Sequence, residues 1–184
     1  MTRFPMLDPA AAPAASRPQL EAAREKFGAV PNLHAVLAAS PEALEADRTL
    51  YALAERSAFT VVERHVLWLA ISVEHRCRYC VPAHTRIALR EGVPADLVEA
   101  LRAGATLPDA RLEALRAFAL GVVRGRGTVG AAATAAFRDA GYGDRAALDV
   151  VMIVAQKTIS NYANRLADVA VDPAARRHAW EPPD

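Results

Sequence analysis

Residues 60–84 read TVVERHVLWLAISVEHRCRYCVPAH, and this stretch decides the fold. Val62, His65, Val66, Leu69 and Val73 recur at i, i+3, i+4, i+7 spacing, the mark of one helical face. Leu67, Trp68 and Ile71 make the other side apolar too. A helix that is hydrophobic all round is buried, in a domain centre or against another subunit, so His65 points inward. Thr60 and Glu63 match a capping box at its start, with Glu63 expected off the inward face. The helix reaches about His75. Pro82 is tolerated only in the first turn of a helix. The next helix therefore starts between Arg78 and Val81 and ends at Gly92, giving a hairpin over about 60–91.

Outward from this hairpin the period stays helical. Gln19 to Phe27 runs into Gly28, a good residue just past a helix end. Ser40-Pro41 opens a helix to about Ser57. Others run from Pro94 to near Gly104, from Pro108 to about Arg124 and from Thr128 to Gly141. Asp144 caps a long last helix that reaches about Val171. Sustained alternation and Asn-Gly or Asp-Gly turns are missing, so the class is all-α with about eight helices. Residues 1–18, with Pro5, Pro9 and Pro13, read as an extended arm, 19–172 as a single helical domain and 173–184 as a tail.

Composition narrows the function. The 184 residues are 53% hydrophobic and 23% charged, the balance of a folding globular chain. Lys and Arg total 22 against 21 Asp and Glu, which leaves no strong footprint for nucleic acid or an acidic membrane. The densest apolar run, Val66 to Val73, is far short of the ~20 residues a membrane helix needs. The N-terminus lacks the apolar core of a signal peptide. A cytoplasmic location follows as the default. Two cysteines in that compartment point to catalysis, redox chemistry or metal binding rather than a structural disulfide.

Those cysteines, Cys77 and Cys80, form Cys-x-x-Cys, and His84 shares a helical face with Cys80. Cys80 falls at a helix N-terminus, where unpaired N–H groups favour an anion. A thiolate is the anion such a site stabilises. Arg76 and Arg78 add positive potential. His65 lies ten residues before His75 and His84 nine after it, so an antiparallel hairpin sets both at nearly one depth. This gives a candidate relay from His65 to His84 to Cys80. The Cys80 thiolate attacks an electrophilic oxygen or sulfur, and His84 serves as general acid for the leaving group. With a hydroperoxide, Cys80 becomes a sulfenic acid, Cys77 condenses with it, and an external dithiol restores the pair. Tyr79 could orient the thiol, a water or the peroxide through its hydroxyl.

The run of residues 60–84 resembles the core motif of the carboxymuconolactone decarboxylase superfamily, in its AhpD-like alkylhydroperoxidase branch. Cys77, Tyr79, Cys80 and His84 match that motif. FGAVPNLHAVLAASPEAL and ISNYANRLADVA resemble its peroxidase-related subgroup, so the likeness covers most of residues 26–170. The resemblance implies an all-helical fold assembled as trimers or hexamers. It also implies a thiol-dependent peroxidase in which Cys80 is peroxidatic and Cys77 resolving, with no bound cofactor and a thiol reductant protein as partner. His65 stands where the family has a glutamate. A neutral imidazole can bond His84 but lacks the carboxylate's charge, so His65→Glu is expected to raise the peroxide rate.

Other readings stay open. The cysteines could be small buried hydrophobes. Cys77, Cys80 and His84, with His75 or His65, could hold a metal in a non-catalytic helical assembly. Family membership alone would also allow a lactone decarboxylase-type lyase. His34 and His178 read as packing or surface residues, and His75 and Arg76 as caps of the bend. Asn161, Asn164 and Arg165 fit either a solvated face or bonds across helices. Trp180 is a candidate anchor onto a neighbouring chain.

Overall fold

The computed structural model describes residues 4–182. Among them are nine α-helices, one 3-10 helix and no strand. The α-helices are α1 (Arg17–Phe27), α2 (Asn32–Leu37), α3 (Pro41–Glu55), α4 (Val61–Glu74), α5 (Cys80–Arg90), α6 (Ala95–Arg102), α7 (Ala110–Arg124), α8 (Ala131–Asp139) and α9 (Asp144–Ala167), followed by the 3-10 helix Pro173–His178.

The apolar-all-round helix is the axis of the molecule. Residues 65–72 of α4 are buried without a break, and α4 packs on α5, α6, α7 and α9. On one side Trp68 joins Phe118, Phe137, Tyr142 and Ile153. On the other, Val66 and Leu69 meet Val81, Leu101 and Trp180. The capping box forms as read: Thr60 Oγ1 accepts from Glu63 N at 3.3 Å and Glu63 Oε2 accepts from Thr60 N at 2.8 Å. Glu63 is not on an outer face, however. It is buried, taking the Tyr142 hydroxyl at 2.6 Å and the Arg111 guanidinium. The capping geometry itself turns this carboxylate toward α7, which spacing along α4 does not reveal.

The hairpin bends through His75–Tyr79, with Arg76 in the left-handed region at φ 53°. Pro82 sits in the first turn of α5. Two starts lie one to three residues later than the sequence suggests, Asp109 capping α7 and Gly130 preceding α8, and the start of α9 lies one residue earlier, with Gly143 rather than Asp144 as its cap. The short α2 and the 3-10 helix went unread, because six residues give too few turns for a period to show. Residues 1–3 of the expected arm lie outside the described residues, and the rest of the first segment is not an extended arm. It turns at residues 9–11 and 14–16, Leu7 N donates to Ala35 O at 2.9 Å, and Ser16 Oγ donates to Ala38 O at 2.8 Å. At the other end Trp180 Nε1 donates to Arg102 O at 2.9 Å, so this indole anchors within its own chain.

Helix α9 is amphipathic in an unusual sense. Gln156, Lys157, Ser160, Asn161 and Asn164 face inward and are buried, while Leu148, Val151, Tyr162 and Leu166 are exposed. At 100° per residue those four fall within about 60° of one another, a stripe about 27 Å long. No helix among the described residues is long and apolar enough to cross a membrane.

Candidate functional site

Cys80 is the first residue of α5, and Cys77 lies three residues earlier in the bend. Both are free thiols. Cys80 N donates to Cys77 Sγ at 3.2 Å, so the two sulfurs share one turn of chain. Cys80 is 3% exposed, yet it lines a cavity of about 990 Å³ with Tyr79, His84, Lys157, His34 and Asp47. The peptide between α1 and α2 and the face of α3 supply much of the remaining wall, mostly apolar: Phe27, Val30, Leu33 and Ala52.

The sulfur meets donors from the inward polar face of α9. Asn164 Nδ2 donates to Cys80 Sγ at 3.2 Å. Lys157, 1% exposed, forms no ion pair with a carboxylate among the described residues, and its Nζ stands 2.8 Å from His84 Nε2. Burial pushes the Cys80 thiol up, but the Cys77 thiol, the Lys157 ammonium and the Asn161 and Asn164 amides together outweigh it and bring it down to about 6. Burial and the neighbouring Cys80 drive Cys77 the opposite way, so it stays a thiol. The pair is thus split into one nucleophile and one proton-bearing partner. The cation that does this is Lys157, not Arg76 or Arg78; Arg78 is exposed and pairs with Glu181 at 2.7 Å.

His84 is buried and held neutral, first by burial and then by Lys157 and His65. Its Nε2 is therefore the acceptor of a Lys157 N–H. His65 is fully buried at the same depth, its ring centroid 6.5 Å from that of His84. The Trp68 ring lies 5.3 Å from each. His65 Nε2 is 3.0 Å from Glu91 Oε2. The Tyr79 hydroxyl donates to Asp172 Oδ2 at 2.5 Å and accepts from Leu33 N at 3.3 Å, so its proton is committed to the wall formed by the segment after α9.

The polar residues of α9 bond across helices. His75 Nδ1 is 3.0 Å from Asn161 Oδ1, and Arg165 Nη1 donates to His75 O at 2.6 Å, which fastens the bend. His34 is half-buried on the cavity wall, 3.9 Å from Asp47, and burial with Arg48 and Lys26 lowers it to about 4. His178 is fixed to Arg177 on the surface. Among the described residues no group of three or more His, Cys, Asp or Glu is arranged to hold a metal.

Residues 41–122 match the model of the carboxymuconolactone decarboxylase family. Solved structures agree over nearly the whole chain. An uncharacterized peroxidase-related protein from Ralstonia eutropha JMP134, described as an alkylhydroperoxidase AhpD core, is 29% identical with a TM-score of 0.78, over 94% of this chain and 93% of that one. A peroxidase-related protein from Silicibacter sp. TM1040 is 24% identical with a TM-score of 0.79, over 95% and 93%. A variant of the debrominase Bmp8 in complex with 2,3,4-tribromopyrrole is 21% identical with a TM-score of 0.74, over 96% and 95%. The latter two likenesses bear on the fold alone. No curated protein sequence matches.

Proposed function

The chain belongs to the carboxymuconolactone decarboxylase superfamily, in its AhpD-like branch, and from that premise we propose that it is a thiol-dependent hydroperoxide reductase. The observation that carries the reading is the placement of Lys157. A buried ammonium with no ion-paired carboxylate among the described residues favours anions around it, and besides Asp47, whose charge it also steadies, this site offers the Cys80 thiolate on the cavity wall.

The thiolate attacks the distal oxygen of a hydroperoxide. An S–O bond forms, the O–O bond breaks, and the departing alkoxide takes a proton from the Lys157–His84 pair, leaving an alcohol and Cys80 sulfenic acid. The Cys77 sulfur then displaces hydroxide from Cys80. The thiol proton of Cys77 goes with it as water, and a disulfide remains. A dithiol reductant returns two electrons and two protons by exchange. His65 stands beside His84 without a direct bond to it, Lys157 fixes the His84 ring, and Tyr79 braces the cavity through Asp172. No step calls for a bound cofactor. The proposed setting is a cytoplasmic homo-oligomer supplied by a thiol reductant protein.

The test is a thiol count by mass spectrometry before and after one equivalent of tert-butyl hydroperoxide. The expected result is a loss of two hydrogens mapped to a Cys77–Cys80 link, with turnover abolished in Cys80→Ser. Unchanged turnover in that variant ends the proposal. A lyase of the lactone decarboxylase type needs no thiol pair, and activity that survives thiol alkylation would favour it.

A further inference from the structure

Three ring nitrogens near the site are buried and have no protein partner: His65 Nδ1, Trp68 Nε1 and His84 Nδ1. They belong to three mutually adjacent rings, with centroids 5.3, 5.3 and 6.5 Å apart. Leaving three such groups unpaired in the interior is destabilising. The other ends of the two imidazoles are both engaged, His65 Nε2 by Glu91 and His84 Nε2 by Lys157. Those outer bonds fix the protons. Glu91 accepts, so His65 carries its proton on Nε2 and presents a bare Nδ1. Lys157 donates, so His84 carries its proton on Nδ1. The Trp68 indole can only donate. One acceptor and two donors on three neighbouring rings are the complement that a single ordered water, with its two to four polar partners, would satisfy.

We propose that one water joins His65 Nδ1, Trp68 Nε1 and His84 Nδ1. It completes an oriented hydrogen-bond chain from Lys157 through His84, water and His65 to Glu91, along which the Cys80 proton reaches the surface. The inference rests on the hydroperoxide reductase reading for its purpose, though not for its geometry. Every bond in the chain points the same way, from Lys157 outward. When reduction returns Cys80 as a thiol, its proton passes to Lys157 as each link hands one on, and Glu91 receives the last. The chain then resets in the opposite sense when the alkoxide is protonated. Glu91 has a 36% exposed side chain, so it can exchange protons with solvent. It also supplies the carboxylate that His65 lacks. Glu91 is a positioning and relay residue and touches no substrate. Its backbone N–H closes α5, a role any residue at that position keeps.

Glu91→Gln tests the chain, because the amide oxygen still accepts from His65 Nε2 but cannot take up a proton. Hydroperoxide turnover is compared with wild type in water and in deuterium oxide, and the ring nitrogens are read by 15N NMR. The expected result is a kcat about tenfold lower or more, with KM unchanged and a larger solvent isotope effect. His65 should be protonated at Nε2 and His84 at Nδ1 in the wild type. A Glu91→Gln kcat within twofold of wild type overturns the chain. If the wild type reduces no hydroperoxide, the functional reading falls and the tautomers decide the chain alone. The stated pair upholds it, and a proton on His84 Nε2 overturns it.

Discussion

Lys157 shows how far a single residue can set the chemistry of another. Replacing its ammonium by an apolar group removes the charge that, with the Cys77 thiol and two amides, holds Cys80 near 6. In the wild type, alkylation of Cys80 by iodoacetamide should follow a single ionisation near that value, fast above it and slow below. Lys157→Met should move the midpoint upward and slow alkylation at neutral pH by about tenfold or more. An unmoved profile would mean that the sulfur owes its acidity to the Cys77 thiol and the amides. His65→Glu, expected from sequence to raise the peroxide rate, has a different outlook once Glu91 is placed 3.0 Å from the ring. Two carboxylates would then confront each other, and one must be protonated. The variant should lose stability and gain no rate, which urea unfolding and steady-state turnover can check. The cysteines and His84 were legible in the sequence because their spacing is local. Lys157 lies 77 positions beyond Cys80 and carries no motif. A lone lysine on a helix ordinarily reads as solvated.

Among the long helices, α4 was the most legible and the two faces of α9 the least. A helix apolar on every side has one explanation, burial, and residues 65–72 are buried without interruption. An amphipathic helix is ordinarily read with its polar face to water, and α9 reverses this. The signal was present in the sequence: Gln156, Lys157, Ser160, Asn161 and Asn164 share one face while Leu148, Val151, Tyr162 and Leu166 share another. Taken as a pair, an apolar stripe facing out and a polar stripe facing in describe a helix that lines a site on one side and seeks a partner on the other. The capping box of α4 gives a prediction on the same scale. Thr60→Ala removes a bond to Glu63 N and should cost about 1 kcal/mol by urea unfolding. Burial pushes the Glu63 carboxyl up, but the Tyr142, Thr60 and Arg111 donors outweigh it and hold it below its ordinary 4.5. A lowered folded value means that the stabilisation is complete above that range and is lost as pH falls through the folded value. Glu63→Gln should therefore flatten the acid limb of the stability profile relative to wild type.

For the whole molecule, the all-helical class was readable from periodicity, and the order of the long helices from their punctuation. The cavity was not. It is bounded by α1, α2, α3, α5, α9 and the segment after α9, pieces from three separate stretches of the chain that no short-range pattern links. The exposed stripe of α9 belongs to this scale too. Exposed apolar side chains at both ends of one helix face suit an association surface, and a second copy of this chain is the occupant expected for the proposed homo-oligomer. Leu148→Arg with Leu166→Arg should lower the mass seen by light scattering to that of one chain, leaving the helical circular dichroism intact. A wild type that is already monomeric would remove the assembly from the account. Trp68, beside both imidazoles and stacked at 4.8 Å on Tyr51, has an optical consequence. Protonated imidazole quenches indole emission, so each proton that halts on His65 or His84 should dim this fluorophore. With Trp180 replaced by phenylalanine the protein becomes its own lamp, and stopped-flow brightness would time the site's traffic without any added dye.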